Sequence, residues 1–414
     1  MKILQINNFH YRKGGSEAVY FNTAELLLNK GHSVVFFSCS NKENENCRTK
    51  DYFIKSLSEV SRLKGILRYF YNKEAKRNLE ELVKREKPDI AHVHLFWGGI
   101  SPSIFSVLRK YNIPLVHTAH DYRMVCPAYT FTDINCNVCE ECKGRYFYKC
   151  AAKKCSKGNI LESFVMAGEM YFRNLFFNPV RNLSGVLFVS NFSKQKHLQF
   201  AKDFRNIPLT VLHNFALETG QSTPLNNANS YFLYFGRLSS EKGLKTLVET
   251  FSKLPDLNLK IVGAGNEKAF ISDYIKSNNI NNIELSGYKK GNELNELISG
   301  ASFVIVPSEW YENNPMTIIE AYAHGIPVIG SSIGGIPEII DEGKTGFLFE
   351  PKDTYSLTQK LKLARSLSDQ EYQIMSENAL QFADKNFNSE IYYNRLIEFY
   401  QEVINQTYLN TLNK

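Results

Sequence analysis

The feature that most restricts this chain is a rhythm. Short apolar runs, mostly β-branched or aromatic, recur between stretches of helical length through both halves of the sequence. They lie at residues 3–6, 33–38, 89–94, 114–118, 186–190 and 209–212, then at 231–235, 257–262, 282–285, 303–306, 327–329 and 346–349. A strand read as an unbroken apolar run, rather than as alternation, is one buried on both faces, as parallel strands under helices are. The pattern predicts an α/β chain with two doubly wound sheets. A length of 414 residues fits two such cores and is too much for one. The polar, Asn-rich stretch 216–230 reads as the linker between them. The first helix is expected to start with Ser16 as its N-cap and to stop at Gly31. A last, aromatic-rich helix is expected from about residue 389 to 406.

No run of 18 apolar residues is present, and the N-terminus reads as a strand and not as a leader, so the expected location is the cytoplasm. In that compartment the eight cysteines are not expected to form structural disulfides. Charge is uneven. Residues 1–215 carry 32 Lys and Arg against 18 Asp and Glu, a balance of +14, whereas residues 216–414 carry 17 against 24, a balance of −7. A basic half points to an anionic partner, nucleic acid or a membrane surface. The membrane is favoured by two segments. Residues 52–87 mix Lys55, Arg62, Lys64, Arg68, Lys73, Lys76 and Arg77 with Phe53, Leu63, Leu67 and Phe70, the composition of an interfacial helix, and residues 164–177 are apolar and aromatic within an insert. No recognition helix or aromatic RNA motif accompanies the charge, so no nucleic acid is expected as a partner.

Chemistry-bearing motifs follow the strands. After residues 231–235 comes Gly236-Arg237, then Lys242-Gly243; glycines permit close backbone approach, and the two cations beside a helix start suit a diphosphate. Gly263 and Gly265 follow the next strand. Glu312 and Glu320 stand eight residues apart, with Pro315 placed as the first residue of a helix. Glu312 is then in the loop and Glu320 inside the helix, where a carboxylate accepts hydrogen bonds from a ribose diol. In the first half, Gly14-Gly15 lead into a helix, and His120-Asp121 follow a strand at the sheet's carboxyl edge. His92 and His94 share one strand face, placed either as a metal pair or, the favoured reading, with His94 lining the cleft.

The succession FGRL-x2-EKG, VGAG, E-x7-E and Ser332-Ile-Gly-Gly-Ile-Pro-Glu338 closely resembles the C-terminal domain of the family 4 glycosyltransferases. The Gly-Gly-Ser-Glu loop at residues 14–17 and His120 resemble the same family's N-terminal domain. The resemblance implies a GT-B fold, two Rossmann-like domains facing each other across a cleft. It implies residues 1–215 as the acceptor domain with an insert at 126–180, residues 231–385 as the sugar-nucleotide domain, and 386–414 as a helix crossing back. It implies a retaining hexosyltransferase using a UDP- or GDP-linked sugar, with a sugar or lipid-linked sugar as acceptor, in cell-surface polysaccharide synthesis at the inner face of the membrane. Arg237 and Lys242 would bind the diphosphate and Glu320 the ribose. Glu312, with the amides around Asn314, Pro315, Met316 and Thr317 (Pro315 itself having no N–H), would meet the transferred sugar, and His120 the sugar or acceptor. No catalytic metal is expected, since the two cations meet the phosphate charge. The family often has Gly-Phe or Gly-Leu after the first Glu, where this chain has Asn313-Asn314, which leaves the sugar open. An epimerase of the same fold, or a zinc-bearing nucleic-acid-binding module, are the alternatives.

One element stands outside that scheme. Cys139, Cys142, Cys150 and Cys155 have the spacing of a structural zinc site, with an iron–sulfur cluster, a redox pair or inert thiols as other readings. Lys143, Arg145, Lys149, Lys153, Lys154 and Lys157 surround them and would favour thiolates. A branch of the family carries a similar insert after the segment that here reads His120-Asp-Tyr-Arg-Met-Val-Cys-Pro127.

Overall fold

The computed structural model describes residues 1–156, 158–217 and 231–412. The linker expected at 216–230 therefore lies, from residue 218 onward, outside the described residues, as does Lys157. The chain divides into two units. Unit 1 comprises Met1–Ile134, Cys139–His213 and Ser389–Lys414; unit 2 comprises Asn135–Val138 and Asn214–Asn388.

Unit 1 is built on six parallel strands: β1 (Lys2–Ile6), β2 (Ser33–Phe37), β3 (Ile90–Val93), β4 (Leu115–Ala119), β5 (Gly185–Phe188) and β6 (Leu209–Val211), in the order β2-β1-β3-β4-β5-β6. Unit 2 repeats the plan with β7 (Tyr231–Phe235), β8 (Leu259–Val262), β9 (Ile283–Gly287), β10 (Ala301–Val306), β11 (Val328–Ser331) and β12 (Gly346–Phe349), in the order β12-β11-β10-β7-β8-β9. Every apolar run became a strand; most are covered on both faces, while the edge strands β6 and β9 are only partly buried. In unit 2, Phe232, Tyr234, Phe303 and Ile305 enter one core, and Leu233, Phe235, Val304 and Val306 the other. The alternation of Cβ direction divides one continuous run between two cores.

Strand order reverses between β1 and β3 in unit 1 and between β7 and β10 in unit 2. The loops leaving these neighbours turn to opposite faces and open a crevice at the carboxyl edge, where ligands bind in doubly wound sheets.

Helix α1 (Gly15–Asn29) begins one residue before Ser16. Its N-cap is Gly14, in an extended conformation, with no side-chain cap. Ser16 therefore sits inside the first turn and is not the N-cap. The helix is followed by Gly31 at φ 80°, the left-handed stop that glycine adopts without penalty. The basic stretch 52–87 holds not one long helix but two, α2 (Arg62–Phe70) and α3 (Lys73–Glu86). Asn72 separates them, its side-chain oxygen accepting from the amides of Glu74 at 3.0 Å and Ala75 at 3.2 Å, a new helix start. The insert contains α4 (Ile160–Phe176), and α5 (Met316–Ala323) follows β10. Pro315 is the N-cap of α5, one position earlier than the sequence pattern placed it.

The last helix, α6 (Ser389–Leu412), belongs to unit 1. Tyr392 Oη meets Thr23 Oγ1 at 3.0 Å, and Tyr400 Oη meets His92 Nδ1 at 2.6 Å. Gly185, opening β5, leaves room for it: a Cβ there would fall 2.7 Å from Phe399 Cζ and 2.9 Å from Val403 Cγ2. Among the described residues no helix is long and apolar enough to cross a membrane.

Candidate active site

The crevice of unit 2 is lined by the loops after β7 and β10, which are joined through their backbones: the amide of Glu309 donates to the carbonyl of Glu241 at 2.9 Å. Tyr234 Oη donates to the carbonyl of Arg237 at 2.7 Å and fixes the turn after β7. Gly243, at φ 69°, is required there, since a Cβ would fall 1.8 Å from the carbonyl oxygen of Pro307. Gly263, at φ 152°, faces the carbonyl of Gly236, which a Cβ would approach to 1.9 Å. These two glycines thus serve the approach of one loop to another. Gly236 and Gly265 also take positive φ.

Glu312 is the centre of the constellation. It is buried, and one of its oxygens accepts from Lys242 Nζ at 2.5 Å, Ser308 Oγ at 2.7 Å and Trp310 Nε1 at 2.8 Å. Burial opposes its charge, but the Lys242 ammonium and these hydrogen bonds prevail and hold the carboxyl below its usual range, so it is an anion and only accepts. Lys242 thereby ties the loop after β7 to the carboxylate of the loop after β10. An ammonium has three donors, so one ion pair does not exhaust it. Arg237 reaches outward, is largely exposed, and pairs with Glu241 at 2.9 Å. Ser239 Oγ holds the same Glu241 oxygen at 2.7 Å.

Glu320 lies just past the first turn of α5 and contrasts with Glu312. Burial alone pushes its carboxyl up to about 7. Asn314 and Pro315 are buried at the start of α5, with Met316 and Thr317 half-buried in its first turn. Asn314 Oδ1 accepts from the amide of Asn214 at 2.7 Å, and Asn214 Nδ2 donates to the carbonyl of Asn314 at 2.8 Å. Thr317 Oγ1 reaches the carbonyl of Phe235, the last residue of β7. Unit 2 therefore brings Lys242, Glu312 and the start of α5 to one switch point. Ser308, Trp310 and Asn214 were missed in the sequence. Ser308 and Trp310 sit within the very loop that carries Glu312, but nothing in spacing says that a serine and an indole will turn onto it, and Asn214 is 100 residues from its partner.

In unit 1 the loops after β1 and β3 meet where the strand order reverses. Asn7 Oδ1 accepts from the amide of Leu95 at 3.0 Å, and Asn7 Nδ2 lies 3.4 Å from the buried Glu17 carboxylate. Gly14 and Gly15 begin α1 beside this loop. His120 is half-buried after β4, and its Nε2 is 2.8 Å from His94 Nδ1. His94, expected to line the cleft, is instead fully buried, its other nitrogen 2.8 Å from Gln5 Oε1. His92 stacks on His94 with ring centres 4.3 Å apart and bonds Thr118 and Tyr400. Both are held by polar side chains and make no metal pair. Burial lowers His120 to about 3, and it holds His92 and His94 well below their usual value, so the imidazoles are neutral.

Among the described residues no group of three or more His, Cys, Asp and Glu is placed to hold a metal ion; zinc on Cys139, Cys142, Cys150 and Cys155 stays an expectation. All eight cysteines are free. Cys150 is buried and hydrogen-bonded to Cys155; that bond first, and then burial, push its thiol up, while burial does the same for Cys142. Of the surrounding cations, Lys149 and Lys153 pair with Glu141, and Arg145 with Asp203 at 2.8 Å, while the hydrogen bond from Cys150, and after it the Lys153 charge, lower the Cys155 thiol.

Comparison with known proteins places the chain among glycosyltransferases. The family model described as glycosyl transferases group 1 matches residues 218–382, and the one described as Glycosyltransferase Family 4 matches residues 13–216. An uncharacterized 42.6 kDa protein in the cps region of Klebsiella pneumoniae is 26% identical over 360 residues, spanning 82% of this chain and 87% of that protein. The structure of a sucrose-phosphate synthase from Thermosynechococcus elongatus covers 98% of this chain and 99% of its own, with a TM-score of 0.73 at 18% identity. That of HepE from Anabaena in complex with UDP and glucose covers 96% and 99%, with a TM-score of 0.64 at 16% identity. At such identities the likeness is one of fold.

Proposed function

The chain belongs to glycosyltransferase family 4 and has the GT-B fold, and from that premise we propose that it moves a hexosyl group from a nucleoside diphosphate sugar to an acceptor hydroxyl with retention. The observation that carries this reading is the convergence, at the β7/β10 switch point, of an ionised Glu312, the ammonium of Lys242 and the start of α5 with Glu320 just inside. Lys242 and Arg237 neutralise the diphosphate, Glu320 accepts from the ribose diol, and Glu312 with the amides of α5 orients the sugar. In the reaction the bond from the anomeric carbon to the phosphate oxygen breaks and a bond to the acceptor oxygen forms on the same face. The acceptor proton passes to the departing phosphate, whose growing charge the two cations stabilise. The complex of HepE with UDP favours a UDP-linked donor, and the cps-region relative favours cell-surface polysaccharide synthesis.

The acceptor in this reading is lipid-linked and met at an anionic membrane surface, and the support is a helix of reversed polarity. Helix α4 buries Glu169 and Arg173, Glu169 pairing with both Arg173 and Arg123, while Phe164, Leu175 and Phe176 are 68%, 75% and 63% exposed. A helix of a soluble protein does the opposite. Helix α2 packs beside it, Phe70 on Phe172 with ring centres 5.5 Å apart, and exposes Leu63 and Leu67 between Arg62, Lys64 and Arg68.

Incubation with a panel of UDP- and GDP-sugars tests the reaction, with thermal shift to find the donor and product analysis to find the transfer. Stabilisation by one donor and transfer of its sugar is the expected result. Conversion of the donor sugar to its epimer without an acceptor would replace this reading with the epimerase.

A further inference from the structure

We propose that Ser308 and Trp310 are positioning residues for Glu312, which together fix one of its carboxylate oxygens and turn the other, Oε2, to the transferred sugar. The inference rests on the reading of Glu312 as a sugar contact and adds what keeps that contact in place while the donor's phosphates are bound.

The loop after β10 folds on itself so that three donors reach one atom. Ser308 Oγ at 2.7 Å, Trp310 Nε1 at 2.8 Å and Lys242 Nζ at 2.5 Å all meet Oε1 of Glu312, and none of the three meets Oε2. An indole N–H only donates, and a hydroxyl facing a carboxylate anion donates to it, so chemistry fixes the direction of both bonds. Ser308 and Glu312 are buried, so water does not compete for Oε1.

The backbone that presents these groups is pinned on both sides. The amide of Glu312 donates to the carbonyl of Trp310 at 2.8 Å, a tight turn. The buried Ser331, at the end of β11, donates from its Oγ to the carbonyl of Ser308 at 2.6 Å. The glycine pair of the Ser332–Glu338 motif closes the other side. The amide of Gly335 donates to the carbonyl of Glu312 at 2.7 Å. Gly334, at φ 65°, comes so near that a Cβ would fall 2.4 Å from that carbonyl oxygen and 2.6 Å from the Glu312 nitrogen. That motif thus holds Glu312 through its backbone, and Ser308 and Trp310 hold it through its side chain.

Two uncharged donors are needed because Lys242 serves two anions. Once its ammonium turns toward a diphosphate, its share in holding Oε1 falls, and a carboxylate tied by Lys242 alone would be released as the donor arrived. Ser308 and Trp310 have no charge to be drawn away. Trp310 also keeps the cation close, its ring centre 5.5 Å from Lys242 Nζ. With Oε1 filled, the sugar meets an anionic oxygen that only accepts, so it presents a hydroxyl or an N–H there and not an acid.

Trp310→Phe keeps the ring beside Lys242 and removes the N–H; Ser308→Ala removes the hydroxyl. With the sugar nucleotide that the panel of UDP- and GDP-sugars selects, each should lower kcat about tenfold, the loss of one hydrogen bond. Donor Kd should stay within about twofold, which also reports that the donor loops are folded. In a chain that carries Glu312→Ala, neither substitution should lower kcat further, because both act through that carboxylate. A merely structural role would lower the rate in both backgrounds alike, and that result overturns the proposal. So does an unchanged kcat in both Trp310→Phe and Ser308→Ala while the wild type transfers sugar, which leaves the functional reading standing. A wild type that turns over no donor of the panel sinks the functional reading and this inference with it.

Discussion

At the residue scale, the two glutamates of the E-x7-E motif differ in charge state. Glu312 is held ionised by Lys242, Ser308 and Trp310, whereas burial pushes Glu320 up to about 7. Donor affinity should therefore rise between pH 6 and pH 8 as Glu320 ionises and begins to accept from the ribose diol. Glu320→Gln should flatten that profile and weaken binding at pH 8 by about 1.5–3 kcal/mol, which donor titrations at several pH values measure. Stability has the opposite sign. A carboxyl whose folded pKa is raised favours the folded state fully below its unfolded pKa and loses that advantage as pH climbs toward 7. The ligand-free protein should thus lose stability across this window, and Glu320→Gln should lose less. Glu312 works the other way, its depressed pKa contributing stability above the unfolded value that vanishes as pH falls through the folded one. Lys242→Ala strands that buried anion. It should lower the melting temperature as well as donor affinity, whereas Glu312→Ala should act mainly on turnover. Unchanged affinity, turnover and stability in both variants would remove these residues from the site.

At the scale of elements, α4 and α6 do unlike work. Helix α6 is bound to unit 1 through Tyr392, Tyr400 and the space above Gly185. Gly185→Val should destabilise by about 1–3 kcal/mol through overpacking against Phe399, seen in the denaturant midpoint. Helix α4 is anchored from within by charge and offers an apolar outer face. Replacing Phe164, Leu175 and Phe176 together by Ser should leave the melting temperature within a degree or two, because these side chains touch little protein. The same variant should abolish sedimentation with anionic vesicles. Wild-type binding should weaken with salt, since each basic residue near such a surface contributes about 1 kcal/mol through a screened field. Equal, negligible binding of wild type to neutral and anionic vesicles would point to a soluble acceptor.

At the scale of the whole molecule, each unit has its own six-stranded sheet, and Lys242, Glu312 and Glu320, the residues proposed to hold the donor, lie in unit 2. Saturation at 100 times Kd should therefore stabilise unit 2 by about 2.7 kcal/mol. In calorimetry the shifted transition is the one whose shift Glu320→Gln reduces. What the sequence determined by itself follows from short-range physics. All twelve strands were legible to within two residues, because a run of residues such as FVIV can be satisfied only between two apolar layers. The glycines and glutamates of the donor loops were legible because their chemistry is confined to a few consecutive positions. Other features belong to the tertiary structure alone. Nothing near Gln5 announces that it will meet His94, 89 residues away, or that His94 will meet His120. The apolar stretch in the insert was visible, yet only packing decided that its charged face turns inward. Local pattern decides which segments are buried; which side chains then share a hydrogen bond depends on how distant strands are registered, and only the folded chain sets that register.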